Sequence, residues 1–316
     1  MQNRKRTIAV CIAAGTLLVT LAIILILPII NARETAVLHG NDGEVKVTYV
    51  ESLMDFNIRS PQGFVYDVSN DTIIFTKGES KVVYPGSTTK LLTALYVLSV
   101  LDENELVTPG DELDLVKPGS SIAYIKENHQ LTVSMLIEGM LIPSGNDAAY
   151  VLAAAAGRKL ANDSSMNGEE AVKRFMDGLN DYAVSIGLCG TSFTVPDGYA
   201  DKEHYTTTED MAIIARTASK NSLISGYASK NISDVVYASG HTNQWINTNK
   251  LLDPESGYYS RYAKGLKTGS IDNEYSLVFS FEFDDGREYI AGVFGANNKN
   301  IRFEDALLII NGLEGK

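Results

Sequence analysis

The β-patterned segments of this chain lie at its two ends, with a long helical stretch between them. Residues 63–79, "GFVYDVSNDTIIFTKGE", hold two short β-rich runs broken by Ser69, Asn70 and Asp71, the composition of a hairpin turn. Toward the other end, "GLKTGS", "YSLVFSFEF" and "EYIAGVFGA" repeat that pattern, with a turn at "DDG". Between these groups, "STTKLLTALYVLSVL", "TVSMLIEGMLIPSGNDAAYVLAAAAG", "GEEAVKRFMDGLNDYAVSIG" and "TTTEDMAIIARTASK" place apolar residues three and four apart, the helical period. Thr132 and Thr206–Thr208 stand where N-terminal caps belong, and Gly157 and Gly187 where helices are expected to end. "FEDALLIING" closes the chain as a further helix. Two strands from one end and three from the other predict a single sheet assembled from sequence-distant pieces, with a helical region inserted. The fold class is therefore α/β, in the α+β sense. No internal repeat or low-complexity tract suggests a solenoid.

The first 30 residues have a different character. Arg4, Lys5 and Arg6 precede the 23 uncharged residues 8–30, "IAVCIAAGTLLVTLAIILILPII". About 20 apolar residues at roughly 1.5 Å each cross a hydrocarbon core of about 30 Å, whereas the apolar core of a signal peptide runs to about 7–15. The expected organisation is a cytoplasmic tail over 1–7, a transmembrane anchor over 8–30, a stalk or linker over 31–60 and a globular domain over 61–316. Basic residues before the span place the domain outside the cytoplasm, at the cell membrane. Cleavage after Ala32 is the alternative, and it also exports the domain. Within 31–60, "EVKVTYVE" reads equally as a strand or as part of the stalk.

The two cysteines are Cys11, inside the span, and Cys189, so no disulfide holds the exported domain together. Cys11 reads as a buried small apolar residue rather than a lipid attachment site. With 27 Lys and Arg against 39 Asp and Glu, and three of the basic residues in the head, the exported part is strongly acidic, which disfavours nucleic-acid binding. There is no phosphate loop, no zinc-spaced Cys/His cluster and no acidic calcium loop, and His39, His129, His204 and His241 are scattered. No metal is expected.

Three short motifs carry chemistry. In "YPGSTTKLLTALYVLS", Ser87 and Lys90 lie three apart where turn residues give way to an apolar run, so a helix starting there sets both side chains on one face. Free N–H groups in that first turn favour negative charge. Burial and a neighbouring cation each disfavour a protonated lysine, and a neutral lysine can take a serine proton. Taken alone, the pair also fits a capping serine before a surface lysine. Ser144, Gly145 and Asn146 precede an alanine-rich segment, where ordinary caps would look the same. Lys267, Thr268 and Gly269 begin a β-run, where glycine permits close approach of a ligand or a second chain.

The three motifs in this order resemble the serine penicillin-recognising set S-x-x-K, S-x-N and K-T-G. Within that superfamily the chain is similar to the D-alanyl-D-alanine carboxypeptidases, the low-molecular-mass penicillin-binding proteins. "YPGSTTKLLTAL", "LIPSGNDAA", "HYTTTEDMAIIA", "NTNKLL" and "GLKTGSIDNEYSLV" carry the likeness over roughly residues 62–298. The resemblance implies a β-lactamase/transpeptidase-like fold, an antiparallel sheet of about five strands flanked by helices, with the site in the cleft between sheet and helical region. It implies Ser87 as acylated nucleophile, Lys90 as base, and Ser144 and Asn146 as proton relay and substrate-amide contact. It assigns Lys267 and Thr268, with Gly269 and Ser270, to the substrate's terminal carboxylate and backbone, and the N–H groups of Ser87 and Ser270 to an oxyanion hole. The implied partners are peptidoglycan stem peptides and, as covalent inhibitors, β-lactams; no cofactor is implied.

The sequence departs from the pattern in three places. Ser144 follows Ser87 by 57 positions, a shorter interval than the family suggests. "FTVPDGYADKEHYTT" stands where many relatives carry a histidine-glycine-leucine stretch. About 20 residues follow "VFGANNK", so the N-terminal span is expected to replace a C-terminal anchor. A β-lactamase and an acylated sensor without turnover are the competing functions. The first would need a deacylating glutamate, and Glu169 and Glu170 lack the right neighbours.

Overall fold

The computed structural model describes residues 32–40, 43–50, 56–78, 81–199 and 202–315. The tail and apolar span expected over 1–30 fall outside the described residues. Among the described residues no helix is long and apolar enough to cross a membrane.

In chain order, β1 (Ala32–Gly40) and β2 (Gly43–Val50) pair as an antiparallel hairpin, so "EVKVTYV" is part of a strand. β3 (Gln62–Asp67) and β4 (Thr72–Lys77) form the expected hairpin. α1 (Lys90–Val100) follows, then the short ladder of β5 (Leu106–Val107) and β6 (Leu131–Thr132). The helical region continues with α2 (Val133–Leu141), α3 (Asn146–Ala161), α4 (Gly168–Ser185), α5 (Thr208–Lys220) and α6 (Ser222–Ala228). A hairpin of β7 (Ile232–Val236) and β8 (Thr242–Ile246) leads to β9 (Ala263–Ile271), β10 (Glu274–Glu282), β11 (Glu288–Ala296) and α7 (Ile301–Glu314).

Five strands make one antiparallel sheet in the order β4-β3-β11-β10-β9, so the β3–β4 hairpin docks on the last strand and sequence-distant pieces close a single layer. Alternate residues supply its two buried faces. Phe64, Tyr66, Val278, Ile290 and Phe294 join the cluster built with the helical region, whereas Val65, Phe279, Phe281, Ala291 and Val293 pack with Phe303, Ala306, Ile309 and Ile310 of α7. A sheet covered on both sides explains why "YSLVFSFEF" and "EYIAGVFGA" are almost continuously apolar. Phe56 and Ile58 belong to the α7 cluster, and both Asp305 carboxylate oxygens accept main-chain N–H groups, from Arg59 at 2.9 Å and Ser60 at 2.8 Å. Packing therefore begins before position 61.

The caps at Thr132 and Thr207 accept from Met135 N and Asp210 N, both at 3.1 Å, and Gly187 ends α4 with φ +91°. Gly157 does not end a helix. α3 runs on to Ala161, and Gly157 is where α4 crosses it: a Cβ there would lie 1.9 Å from the Ala171 carbonyl oxygen. The helical region over 132–157 divides at Ile142–Gly145 into α2 and α3, with Ser144 and Gly145 just before the alanine-rich helix as expected. β7, β8 and α6 were not anticipated.

Candidate active site

The helix expected to begin near Ser87 begins at Lys90. A 3-10 turn, Gly86–Thr89, precedes it, with Gly86 in the left-handed region at φ +53°. Residues i and i+3 eclipse in such a turn, which brings Lys90 Nζ to 2.8 Å from Ser87 Oγ. The same nitrogen lies 2.7 Å from Asn146 Oδ1 and 2.8 Å from the Asp197 carbonyl oxygen. These three acceptors match the three hydrogens of an ammonium. A neutral amine keeps two of them and can turn its lone pair to the serine hydroxyl. Lys90 is fully buried, and burial brings its pKa from the ordinary lysine range to about 8, against the opposing pull of Asp197 and Asp147. Burial, rather than a second cation, is what frees Lys90.

Ser144 is not a cap. It sits between α2 and α3 at φ +65°, and the helix starts from Gly145 without a side-chain cap. A non-glycine residue held in the left-handed region costs on the order of 1–3 kcal/mol and marks a constrained site. Gly145 has no room for a side chain, because a Cβ would come within 2.7 Å of the Gly139 carbonyl oxygen. The tight turn points Asn146 at Lys90 and leaves Ser144 on the cleft wall beside Ser87.

β9 forms the sheet edge, and its K-T-G stretch lies against the segment that leads into the Gly86–Thr89 turn. A Cβ on Gly269 would lie 2.4 Å from the Pro85 carbonyl oxygen, so glycine is required for the two segments to meet. Thr268 and Thr248 share a hydroxyl hydrogen bond of 2.6 Å. Lys267 is 1% exposed and donates to the Thr268 carbonyl oxygen at 3.2 Å. Burial, then Lys90 and Arg302, holds its pKa well below that of an ordinary lysine.

The resulting cleft has a volume of about 360 Å³. Ser87, Ser144, Asn146, Thr268 and Ser270 line it, while Lys90 and Lys267 are buried and Gly269 packs against Pro85. Two larger grooves, of about 830 and 540 Å³, lie elsewhere, and neither Ser87 nor Lys90 lines them. In the first, Arg158 is paired with Asp111 and Glu112, and Lys159 with Glu105. Glu169 and Glu170 occupy the exposed first turn of α4, and neither lines the cleft.

The motifs did not reveal four contributors. Arg302, at the start of α7, lines the cleft and donates to the Gly269 carbonyl oxygen at 2.8 Å and to Ser270 Oγ at 3.3 Å. Burial lowers its pKa to about 10, which leaves it charged at neutral pH. Thr248 also lines the cleft, beside Thr268. Asp147 accepts from the N–H groups of Ala123 and Ala148 through Oδ1 and of Ile125 through Oδ2, at 2.8, 2.9 and 2.9 Å, fixing the loop that brings Ser120 and Ser121 to the cleft. Asp197, in the "FTVPDGYADKEHYTT" segment, accepts from Lys90 Nζ through its main-chain carbonyl oxygen at 2.8 Å. Of these, Asp147 left a sequence signal as an acidic residue in the first turn of an alanine-rich helix, and Thr248 lies in "NTNKLL", one of the segments that carry the family likeness.

The family model for D-alanyl-D-alanine carboxypeptidase matches residues 48–298. The chain is 30% identical over 281 residues to a D-alanyl-D-alanine carboxypeptidase of Streptomyces sp. (strain K15), covering 85% of this chain and 92% of that one. It is 28% identical over 242 residues to the D-alanyl-D-alanine carboxypeptidase DacF of Bacillus subtilis, covering 74% of this chain and 57% of DacF, so it spans little more than half of that relative. The crystal structure of the Streptomyces K15 DD-transpeptidase superposes with a TM-score of 0.71 at 32% identity, over 81% of this chain and 97% of that one. With the lysine buried against the serine, the glycine-lined contact of β9 and the match over most of the length, the chain belongs to the D-alanyl-D-alanine carboxypeptidase family.

Proposed function

We propose that Ser87 is the nucleophile through which this D-alanyl-D-alanine carboxypeptidase removes the terminal D-alanine of peptidoglycan stem peptides, with Lys90 as its base. The observation that carries the assignment is the buried Lys90 nitrogen 2.8 Å from Ser87 Oγ, at the wall of a cleft that Thr268, Ser270 and Arg302 also line. In the acylation step Ser87 Oγ attacks the carbonyl carbon of the penultimate D-alanine, and its proton passes to neutral Lys90. The C–N bond then breaks, and the departing amine takes a proton relayed through Ser144. Water attacks the ester, the C–O bond to Ser87 breaks, and the hydroxyl is restored. The N–H groups of Ser87 and Ser270 receive the charge on the tetrahedral oxygen, a contribution of several kcal/mol to transition-state binding. Asn146 orients Lys90 and the substrate amide. Lys267, Thr268 and Arg302 receive the terminal carboxylate, and Gly269 lets the substrate backbone lie along β9. β-Lactams enter the same path and stop at the ester.

Release of D-alanine from a peptide ending in D-Ala-D-Ala, measured beside labelling by a fluorescent penicillin, tests this reading. Both are expected for the native protein and neither for Ser87→Ala. Labelling without D-alanine release would favour an acylated sensor, and rapid loss of label would favour a β-lactamase. An added amine acceptor distinguishes hydrolysis from transfer.

We also propose that residues 8–30 anchor the enzyme in the cell membrane with residues 1–7 in the cytoplasm and the catalytic domain outside. The 23 uncharged residues after Arg4, Lys5 and Arg6 support this. Full-length protein should resist alkaline extraction of membranes and be digested by protease added outside. Release by alkali would contradict an anchor.

A further inference from the structure

Asp197 lies between α4 and α5, 1% exposed, in the turn Pro196-Asp197-Gly198-Tyr199. This turn is fastened to α1 at two successive carbonyls: Thr93 Oγ1 donates to Pro196 O at 2.7 Å, and Lys90 Nζ to Asp197 O at 2.8 Å. It also fits hard against the nucleophile turn, since a Cβ on Gly198, at φ +82°, would fall 1.9 Å from the Gly86 carbonyl oxygen. The side chain has a second character. Asp197 Oδ1 accepts from Tyr199 N at 3.1 Å, whereas Oδ2 is buried without a hydrogen-bond partner.

Two carboxylates act on Lys90, and they differ in how their charge is used. Asp147 gives its oxygens to three main-chain N–H groups and holds the 119–125 loop against α3. Asp197 has one such partner, so more of its charge is left to act through a medium of lower dielectric than water. From the other elements around the site, Asn146 of α3 presents a neutral oxygen to Lys90. Lys267 of β9 and Arg302 of α7 are the cationic side chains of the other elements, and burial holds the Lys267 pKa well below the ordinary lysine range. The Tyr150 phenol of α3 is raised by burial and then by Asp197, which places that carboxylate's field on the α3 side as well.

We propose that Asp197 is a positioning residue for the Ser87–Lys90 pair: its main chain fixes the lysine nitrogen, and its buried carboxylate biases that nitrogen toward the protonated form. The inference rests on Ser87 and Lys90 being nucleophile and base. Asp197 thereby acts as a brake on acylation at low pH.

Asp197→Asn keeps the main-chain carbonyl and an acceptor for Tyr199 N while removing the charge. The second-order rate of labelling by a fluorescent penicillin is followed against pH for the native domain, for Asp197→Asn and for Asp197→Ser. Both variants are expected to move the acidic limb down by about one pH unit, so that well below the limb they label about ten-fold faster than the native protein. The alkaline limb, set by the groups that receive the carboxylate, should stay in place. An acidic limb unmoved in both variants overturns the proposal, as does a uniform loss of rate at every pH, which is the mark of a purely structural role. If Ser87→Ala is still labelled, the underlying assignment fails and this inference with it. If Ser87→Ala is silent and the limb does not move, this inference alone fails.

Discussion

Gly86 and Ser270 meet backbone to backbone, so closely that a Cβ on Gly86 would lie 2.9 Å from the Ser270 nitrogen. The nucleophile turn and the edge of β9 thus set each other's position, and the proposed oxyanion site depends on that contact. Gly86 also holds φ +53°, where a side chain costs roughly 1–2 kcal/mol. Gly86→Ala should therefore slow penicillin labelling at least ten-fold and lower the melting temperature by a few degrees. Labelling at the native rate would show that the two segments do not need this proximity.

The state of Lys90 predicts two pH effects. With the amine brought to about 8, labelling should rise as pH climbs through that value. For stability, the unfolded lysine still binds its proton between about pH 8 and 10.4, where the folded one has released it, so unfolding free energy rises with pH across that window. Below it both states are protonated and the burial penalty is constant. Lys90→Met should reduce this slope in urea unfolding series at pH 8 and 10, and should depress labelling by about 10²–10⁴-fold.

Lys267 is buried beside two other cations, which keeps it well below the usual lysine range. A bound carboxylate reverses that balance, so binding should draw in a proton. In the non-acylating Ser87→Ala protein, affinity for a D-Ala-D-Ala peptide is expected to fall with pH on the alkaline side, with a slope approaching ten-fold per unit. Lys267→Arg, which stays charged, should flatten the slope. An equal slope in both proteins would remove Lys267 from carboxylate binding.

Asp147→Ala leaves three main-chain N–H groups without their acceptor. At about 1–3 kcal/mol for each buried unsatisfied donor, a loss of around 3 kcal/mol and a fall on the order of 6–12 °C in melting temperature are expected. Because the freed loop carries Ser120 and Ser121 to the cleft, KM for the peptide should rise more than kcat falls. Calorimetry and peptidase kinetics on the same preparation check both parts.

The amino-acid sequence on its own determined what depends on neighbours in the chain. Three positions separate Ser87 from Lys90, so a single turn brings them together. Short β-rich runs bounded by turn residues marked the strands of the sheet, and threonines at 132 and 207 marked helix starts. Gly157 shows the limit of such reading: local chemistry suggests a stop, whereas the close crossing of α4 makes it a packing residue. The β7–β8 hairpin, with mixed polar and apolar strands, carried no strong period. What the tertiary structure decided was the surroundings of the pair. Asp197 reaches Lys90 across 107 positions and Arg302 reaches Ser270 across 32, through contacts with no period or spacing of their own. They exist because sheet closure and helix packing bring a loop carbonyl and the start of α7 to the same cleft, and burial there lowers the pKa of Lys90.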